Sequence, residues 1–179
     1  VGITMKYKSN LIFSSSSTVY GLPKKLPITE DMPFGISPSP YGKTKKICEE
    51  ILKDLSKIEN LSIISLRYFN PIGAHESGLI GERPVKKPIH IMPYITQTAM
   101  GIQKKLTIFG NNYKTKDGTC VRDFIHVNDV AEAHVKCIPF LRKNKKEYHK
   151  FNIGVGKGIS VLELIKQFEK STGVLVPYK

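Results

Sequence analysis

Short apolar runs alternate with amphipathic stretches along the chain, and the alternation predicts its elements. Asn10–Phe13 (NLIF) is an apolar run that ends in a row of serines, Ser14–Ser17, and reads as a buried strand with a polar C-terminal edge. Gly21–Pro40 is a Pro-rich connection, and a helix is predicted from about Tyr41 to Ser56. Leu61–Phe69 (LSIISLRYF) reads as a second strand. The segment Pro71–His90 has no period and is expected to be a long functional loop. Met92–Gly101 is expected to be helical, Leu106–Phe109 and Val121–Phe124 are expected to be short strands, and Asn128 is placed to cap a helix over Asp129–Leu141. Phe151–Val155 is a further strand. Ser160 and Glu163 form a capping box for a helix that runs to about Ser171 and is closed by Gly173. Strands alternating with helices imply an α/β fold with a mostly parallel sheet.

The helix over 41–56 has an unusual face. At about 100° per residue, Tyr41, Lys45, Cys48, Leu52 and Leu55 fall within roughly 80° of one another. Lys43, Lys46, Glu49, Glu50, Lys53, Asp54 and Lys57 are expected on the other side, which leaves Lys45 as the one charge on the apolar face. A lysine there must reach solvent, pair or do chemistry. The serine row supplies a reason for chemistry. It ends a strand where open α/β sheets bind ligands, and Ser16 precedes Tyr41 by 25 positions. A lysine ammonium beside a tyrosine favours the phenolate, which is the form a general base needs.

Composition narrows the classes. The chain has 179 residues, of which 40% are hydrophobic, enough for a core, and no apolar run approaches the roughly 18 residues of a membrane span. Cys48, Cys120 and Cys137 are odd in number and show no C-x-x-C spacing, which argues against a disulfide framework or a zinc site and for a reducing compartment. No metal is expected. The net charge is +13. Such an excess reads either as an anionic partner or as a solvated lysine surface. The lysines are spread along the chain with no nucleic-acid motif, which favours the surface. Gly154–Gly158 (GVGKG) follows a strand and precedes a helix, but its G-x-G-x-G spacing is not that of a dinucleotide loop.

Six ordered segments carry a resemblance: FSSSSTVYG (Phe13–Gly21), SPYGKTK (Ser39–Lys45), LRYFNPIGAHESG (Leu66–Gly78), MPYITQTAMG (Met92–Gly101), IFGNNYKTKDGTCVRDFIHVNDVA (Ile108–Ala131) and FNIGVGKGISVLE (Phe151–Glu163). With them the chain resembles the extended short-chain dehydrogenases/reductases, and within that family the UDP-glucose/UDP-galactose 4-epimerases. The resemblance covers nearly all of the chain from Asn10 on. It implies NAD as cofactor, UDP-glucose and UDP-galactose as substrates, a homodimer, and work in the cytosol, with no membrane or nucleic-acid partner. It implies that Tyr41, Lys45 and Ser16 are catalytic and contact NAD, with Phe69 against the nicotinamide end. Ser16, Ser17, Thr18, Tyr68 and Asn70 would meet the sugar. Thr107, Ile108, Phe109 and Arg122 would hold UDP, with His90 and Ile91 near it where the family has an asparagine. Ile89-His90-Ile91, Arg83, Lys116 and Cys120 depart from the family pattern.

The resemblance also implies a fragment. The glycine loop and ribose-binding acid of a Rossmann-like sheet would lie before Val1, and the end of the substrate region after Lys179. On that reading residues 1–70 are the second half of the NAD-binding domain and 71–179 are mostly an incomplete UDP-sugar region. The chain by itself would be partly unfolded and inactive. Two alternatives stay open. One is another nucleotide-sugar short-chain enzyme, of dehydratase or decarboxylase type, although Ser17-Thr18 stand where dehydratases carry an Asp-Glu pair. The other is a non-catalytic nucleotide-sugar-binding protein.

Overall fold

The computed structural model describes residues 1–59, 61–144 and 146–179. The elements in order are α1 (Gly2–Tyr7), β1 (Leu11–Ser16), a 3-10 turn (Ser17–Tyr20), α2 (Pro40–Ile58), β2 (Ile63–Tyr68), β3 (Asn70–Ile72), α3 (Ile91–Ala99), β4 (Val121–His126), α4 (Val127–Lys143), β5 (Tyr148–Ile153), β6 (Gly158–Ser160) and α5 (Val161–Thr172). The chain divides into two compact units, Val1–Phe69 with Asn128–Gly154, and Asn70–Val127 with Val155–Lys179. Residues 128–154 therefore belong with the first unit, whereas a single division after residue 70 would place them with the second.

The first unit is a parallel sheet in the order β1-β2-β5. β2 is its centre. Ile63, Ile64 and Leu66 are fully buried, and such burial stabilises by about 1.5–3 kcal/mol per side chain. Both faces of β2 are covered, which is why its sequence shows no alternation. On one face Ile63 packs with Leu52 of α2 and with Leu11 and Phe13 of β1. On the other, Ile64 and Leu66 pack with Cys137 and Leu141 of α4. The register sets Ser16 opposite Tyr68, and Tyr68 opposite Ile153, so all three strands end together at their C-terminal edge.

The second unit holds a small mixed sheet in the order β3-β4-β6, parallel between β3 and β4 and antiparallel between β4 and β6. α3 and α5 bury Ile95, Leu164 and Ile165 against Phe124 of β4. The capping box of α5 is present as expected: the Ser160 hydroxyl accepts from the Glu163 amide and the Glu163 carboxylate from the Ser160 amide. Gly173 closes the helix in the left-handed region that favours glycine.

Several boundaries differ from the sequence reading. α4 begins at Val127, so Asn128 lies inside it rather than capping it. Leu106–Phe109 is not a full strand. It makes one parallel bridge, Leu106 with Tyr178, supported by hydrogen bonds from the Leu106 and Ile108 amides to the Pro177 and Lys179 carbonyls. β6 and α1 carry no strong pattern, being three and six residues long. The amides of Val155 and Gly156 donate to the Asp123 carboxylate at 2.9 and 2.8 Å, so the GVGKG turn is already filled by an acid of its own unit.

Candidate functional site

Along the row of serines at the end of β1, Ser14 is exposed, while Ser15 and Ser16 are buried. The Ser16 hydroxyl accepts from the Thr18 amide at 3.2 Å and from the Thr18 hydroxyl at 3.0 Å, which starts the 3-10 turn. Ser16, Ser17 and Thr18 thus form one polar corner at the sheet's C-terminal edge.

α2 starts at a Ser39 N-cap followed by Pro40 at the first helical position. Gly42 is buried there, and a side chain on it would collide with the Ser37 hydroxyl and the Thr18 carbonyl. Glycine at this position therefore lets the helix start press against the serine corner. Tyr41 beside it is 54% exposed, so its ring stands open to an incoming ligand. Lys45 lies one turn on. Its ammonium donates to the Ser14 carbonyl at 2.6 Å and sits 5.5 Å from the Tyr41 ring centre and 5.0 Å from that of Phe13.

The buried face of α2 is not the one expected. Gly42, Glu49, Leu52 and Ser56 are buried, Lys45 and Cys48 are only half-buried, and Ile47, Ile51 and Ile58 are exposed. The charge inside is Glu49, expected on the solvent side. Its carboxylate pairs with Arg67 of β2, Oε2 to Nη2 at 2.6 Å, with both side chains almost fully buried. Glu49 also accepts from the Ser15 hydroxyl and, at 2.9 Å, from the Tyr148 hydroxyl. Burial acts against the Arg67 charge, and the bonds to Glu49 and Tyr20 with the Glu49 charge more than offset it, holding the guanidinium above its ordinary value. Burial raises the Tyr148 phenol, and the Glu49 charge adds to this. A lone arginine inside the apolar run of β2 was the signal for this network, because such a charge needs a buried partner.

Tyr68 ends β2, Phe69 follows it, and both are half-buried. The Tyr68 hydroxyl is bonded to Ser14 Oγ at 2.9 Å and to His134 Nε2 of α4 at 2.7 Å, so its partners here are protein groups. Burial raises its pKa above the ordinary tyrosine value. The Phe69 amide donates to the Ile153 carbonyl at 3.0 Å.

The remaining expected residues lie in the second unit. Asn70 opens β3 and is half-buried. His90 precedes α3 and its Nδ1 is 2.6 Å from Glu82 Oε1. Ile91 and Ile108 turn inward against that unit's core. Thr107, Phe109 and Arg122 are exposed, and Arg122 donates once to the Val121 carbonyl. The structure therefore gathers Ser16, Ser17, Thr18, Tyr41, Lys45, Tyr68 and Phe69 in one unit, and Asn70, His90, Ile91, Thr107, Ile108, Phe109 and Arg122 in the other. Two clefts of about 330 and 360 Å³ lie one in each unit, and of these expected residues only Ile108 lines either. Among the described residues no cluster of His, Cys, Asp and Glu could hold a metal ion, and no helix is long and apolar enough to cross a membrane.

A serine corner, an exposed tyrosine and a lysine one helical turn later stand together at the C-terminal edge of the parallel sheet of an α/β unit. Residues 3–154 match the model of the NAD dependent epimerase/dehydratase family, and the chain belongs to that family. It is 52% identical over 170 residues to a UDP-glucose 4-epimerase of Bacillus subtilis, covering 94% of this chain and 50% of the relative. It is likewise 52% identical over 169 residues to one of Drosophila melanogaster, covering 93% and 48%. A UDP-glucose 4-epimerase of Bifidobacterium longum, solved in complex with NAD+ and UDP, superposes with a TM-score of 0.93 at 46% identity, over 99% of this chain and 53% of that one. The structure from Stenotrophomonas maltophila, with bound NAD and formylated UDP-arabinopyranose, gives 0.94 at 47%, over 99% and 53%. The chain thus spans about half the length of the curated relatives it matches.

Proposed function

We infer that the gene product carrying this chain interconverts UDP-glucose and UDP-galactose with NAD as cofactor, in the cytosol and as a homodimer. The observation that carries this is the Tyr41–Lys45 pair lying against the serine corner, in a chain half identical to UDP-glucose 4-epimerases.

The residues present fit the nicotinamide end of NAD. The Lys45 ammonium has three donors, of which the Ser14 carbonyl takes one, leaving others for ribose hydroxyls. Phe69 closes the same strand end. Bound NAD supplies a hydride acceptor that returns the hydride to the other face of the sugar, so no net oxidation results. Tyr41 takes the proton from the sugar 4-hydroxyl as hydride leaves C4, and returns it after the 4-keto sugar has turned over. Ser16 hydrogen-bonds that hydroxyl and holds it towards Tyr41, with Ser17 and Thr18 lining the corner. General acid–base catalysis by a group so placed contributes about 10²–10⁴-fold.

In the second unit Arg122 presents paired donors that suit a diphosphate. Thr107 and Phe109 offer an exposed hydroxyl and ring for the uridine, with Asn70 and the amide end of α3 at Ile91 as further polar contacts. His90 stands ready to contribute once released from Glu82. The exposed Ile47, Ile51 and Ile58 along α2 give a second copy an apolar face to meet.

The test is turnover. The full-length gene product, given NAD and UDP-galactose, is expected to form UDP-glucose, read by coupling to a UDP-glucose dehydrogenase. A folded product that binds UDP-galactose and releases no UDP-glucose would overturn the assignment.

A further inference from the structure

The Glu49 carboxylate has a position that its contribution to stability does not explain. It lies on α2 one turn after Lys45 and two turns after Tyr41. It is bonded to all three strands of the first unit's sheet: Ser15 of β1, Arg67 of β2 and Tyr148 of β5. Two of these partners are sequence neighbours of site residues, Ser15 of Ser16 and Arg67 of Tyr68. Arg67 reaches further, donating from Nη1 to the Tyr20 hydroxyl at 2.7 Å at the end of the turn that carries Ser17 and Thr18.

A buried ion pair adds little net stability over an apolar pair of the same volume. What it supplies is geometry, because a bidentate arginine accepts a carboxylate in one orientation only. Apolar packing would let α2 slide or rotate by a fraction of a turn, whereas four donors converging on one carboxylate would not. A slip of about 1 Å at a reacting group can cost on the order of 10²-fold in rate.

We propose that Glu49 is the positioning residue of this site: it fixes the rotation and height of α2 on the sheet, so that Lys45 meets the Ser14 carbonyl and Gly42, next to Tyr41, closes on the Thr18 carbonyl. This deepens the reading of Tyr41, Lys45 and Ser16 as the reacting group and rests on it for its catalytic consequence. Its structural consequence is independent of that reading.

Two measurements on the full-length gene product test it. The first needs no turnover. Acylation of lysines by a brief pulse of acetic anhydride, read peptide by peptide, is expected to find Lys45 slower than the exposed Lys43 and Lys53 of the same helix. In Glu49→Gln, and in the double variant Glu49→Leu with Arg67→Met, Lys45 should react severalfold faster while Lys43 and Lys53 stay unchanged. The second is steady-state kinetics of both variants. Each is expected to lose about 10²-fold in kcat at little change in KM. The double variant, which removes both charges together, is expected to melt above either single change without recovering kcat. Unchanged Lys45 reactivity in folded Glu49→Gln would overturn the proposal, and so would wild-type kcat in either variant. A wild-type protein that shows the Lys45 protection but no epimerisation would overturn the functional reading instead.

Discussion

Replacing Arg67 by methionine isolates the energetics of the network that ties α2 to the sheet. Arg67 is 2% exposed and its partner Glu49 is 1% exposed, so water cannot replace the lost cation. The substitution removes two bonds from Nε at 3.0 and 3.1 Å, one from Nη2 at 2.6 Å and one from Nη1 to Tyr20 at 2.7 Å. Methionine roughly fills the volume, so the cost is that of an unpaired buried charge rather than a cavity, about 3–5 kcal/mol. About 4 kcal/mol lowers Tm by roughly 10 °C for 179 residues and by about half of that for a chain twice as long. Thermal and urea denaturation of the full-length gene product measure it. Adding Glu49→Leu should recover part of the loss, because it removes the orphaned carboxylate. Recovery stays incomplete, since the Ser15 hydroxyl then has no acceptor. A loss below about 1 kcal/mol for the single variant would refute the reasoning, as would a double variant less stable than either single one.

Ser160→Ala removes the α5 cap and the bond from Ser160 to Asp117, and is expected to cost about 1–2 kcal/mol in urea unfolding. Asp117 is held below the ordinary carboxylate range by the Ser160 hydroxyl first and then by the amide and hydroxyl of Thr119. A folded-state pKa that is depressed stabilises fully above the unfolded value and loses its effect as pH falls through the folded one. Tm should therefore decline below about pH 4, and less steeply in Asp117→Asn. Gly42→Ala places a methyl group against the Ser37 hydroxyl and the Thr18 carbonyl, and is expected to cost about 1–3 kcal/mol of stability and to lower kcat by moving Tyr41.

The α/β alternation was legible because β2 is an apolar run, β1 begins as one, and α2 and α5 carry good caps, whereas the half-polar β5 was expected at Phe151–Val155 and starts three residues earlier, at Tyr148. The α5 capping box was readable residue by residue, since Ser160 and Glu163 need only each other. The face of α2 was not. Its buried stripe runs through Gly42, Glu49, Leu52 and Ser56, and a reading weighted by hydrophobicity passes over three of those four. Tyr41 and Lys45 were found by their spacing, yet Tyr41 lies at the edge of that stripe and Lys45, within it, is only half-buried. Arg67, a charge inside a buried strand, was a signal the sequence reading passed over, and its partner lies 18 positions earlier, joined to it only by packing. Tyr68 was expected at the sugar, and its bonds to Ser14 and His134 depend on α4 covering that face of the sheet. β3 and β6 are three residues each, too short for a period to show.

The most direct test of the proposed chemistry is epimerisation of UDP-galactose by the full-length gene product carrying Tyr41→Phe. Removing one exposed hydroxyl should leave the fold and the affinity for UDP unchanged. It should lower kcat by about 10²–10⁴-fold, the share of a positioned proton-transfer group. Turnover at the wild-type rate would contradict Tyr41 as the base and, with it, the reading of this site.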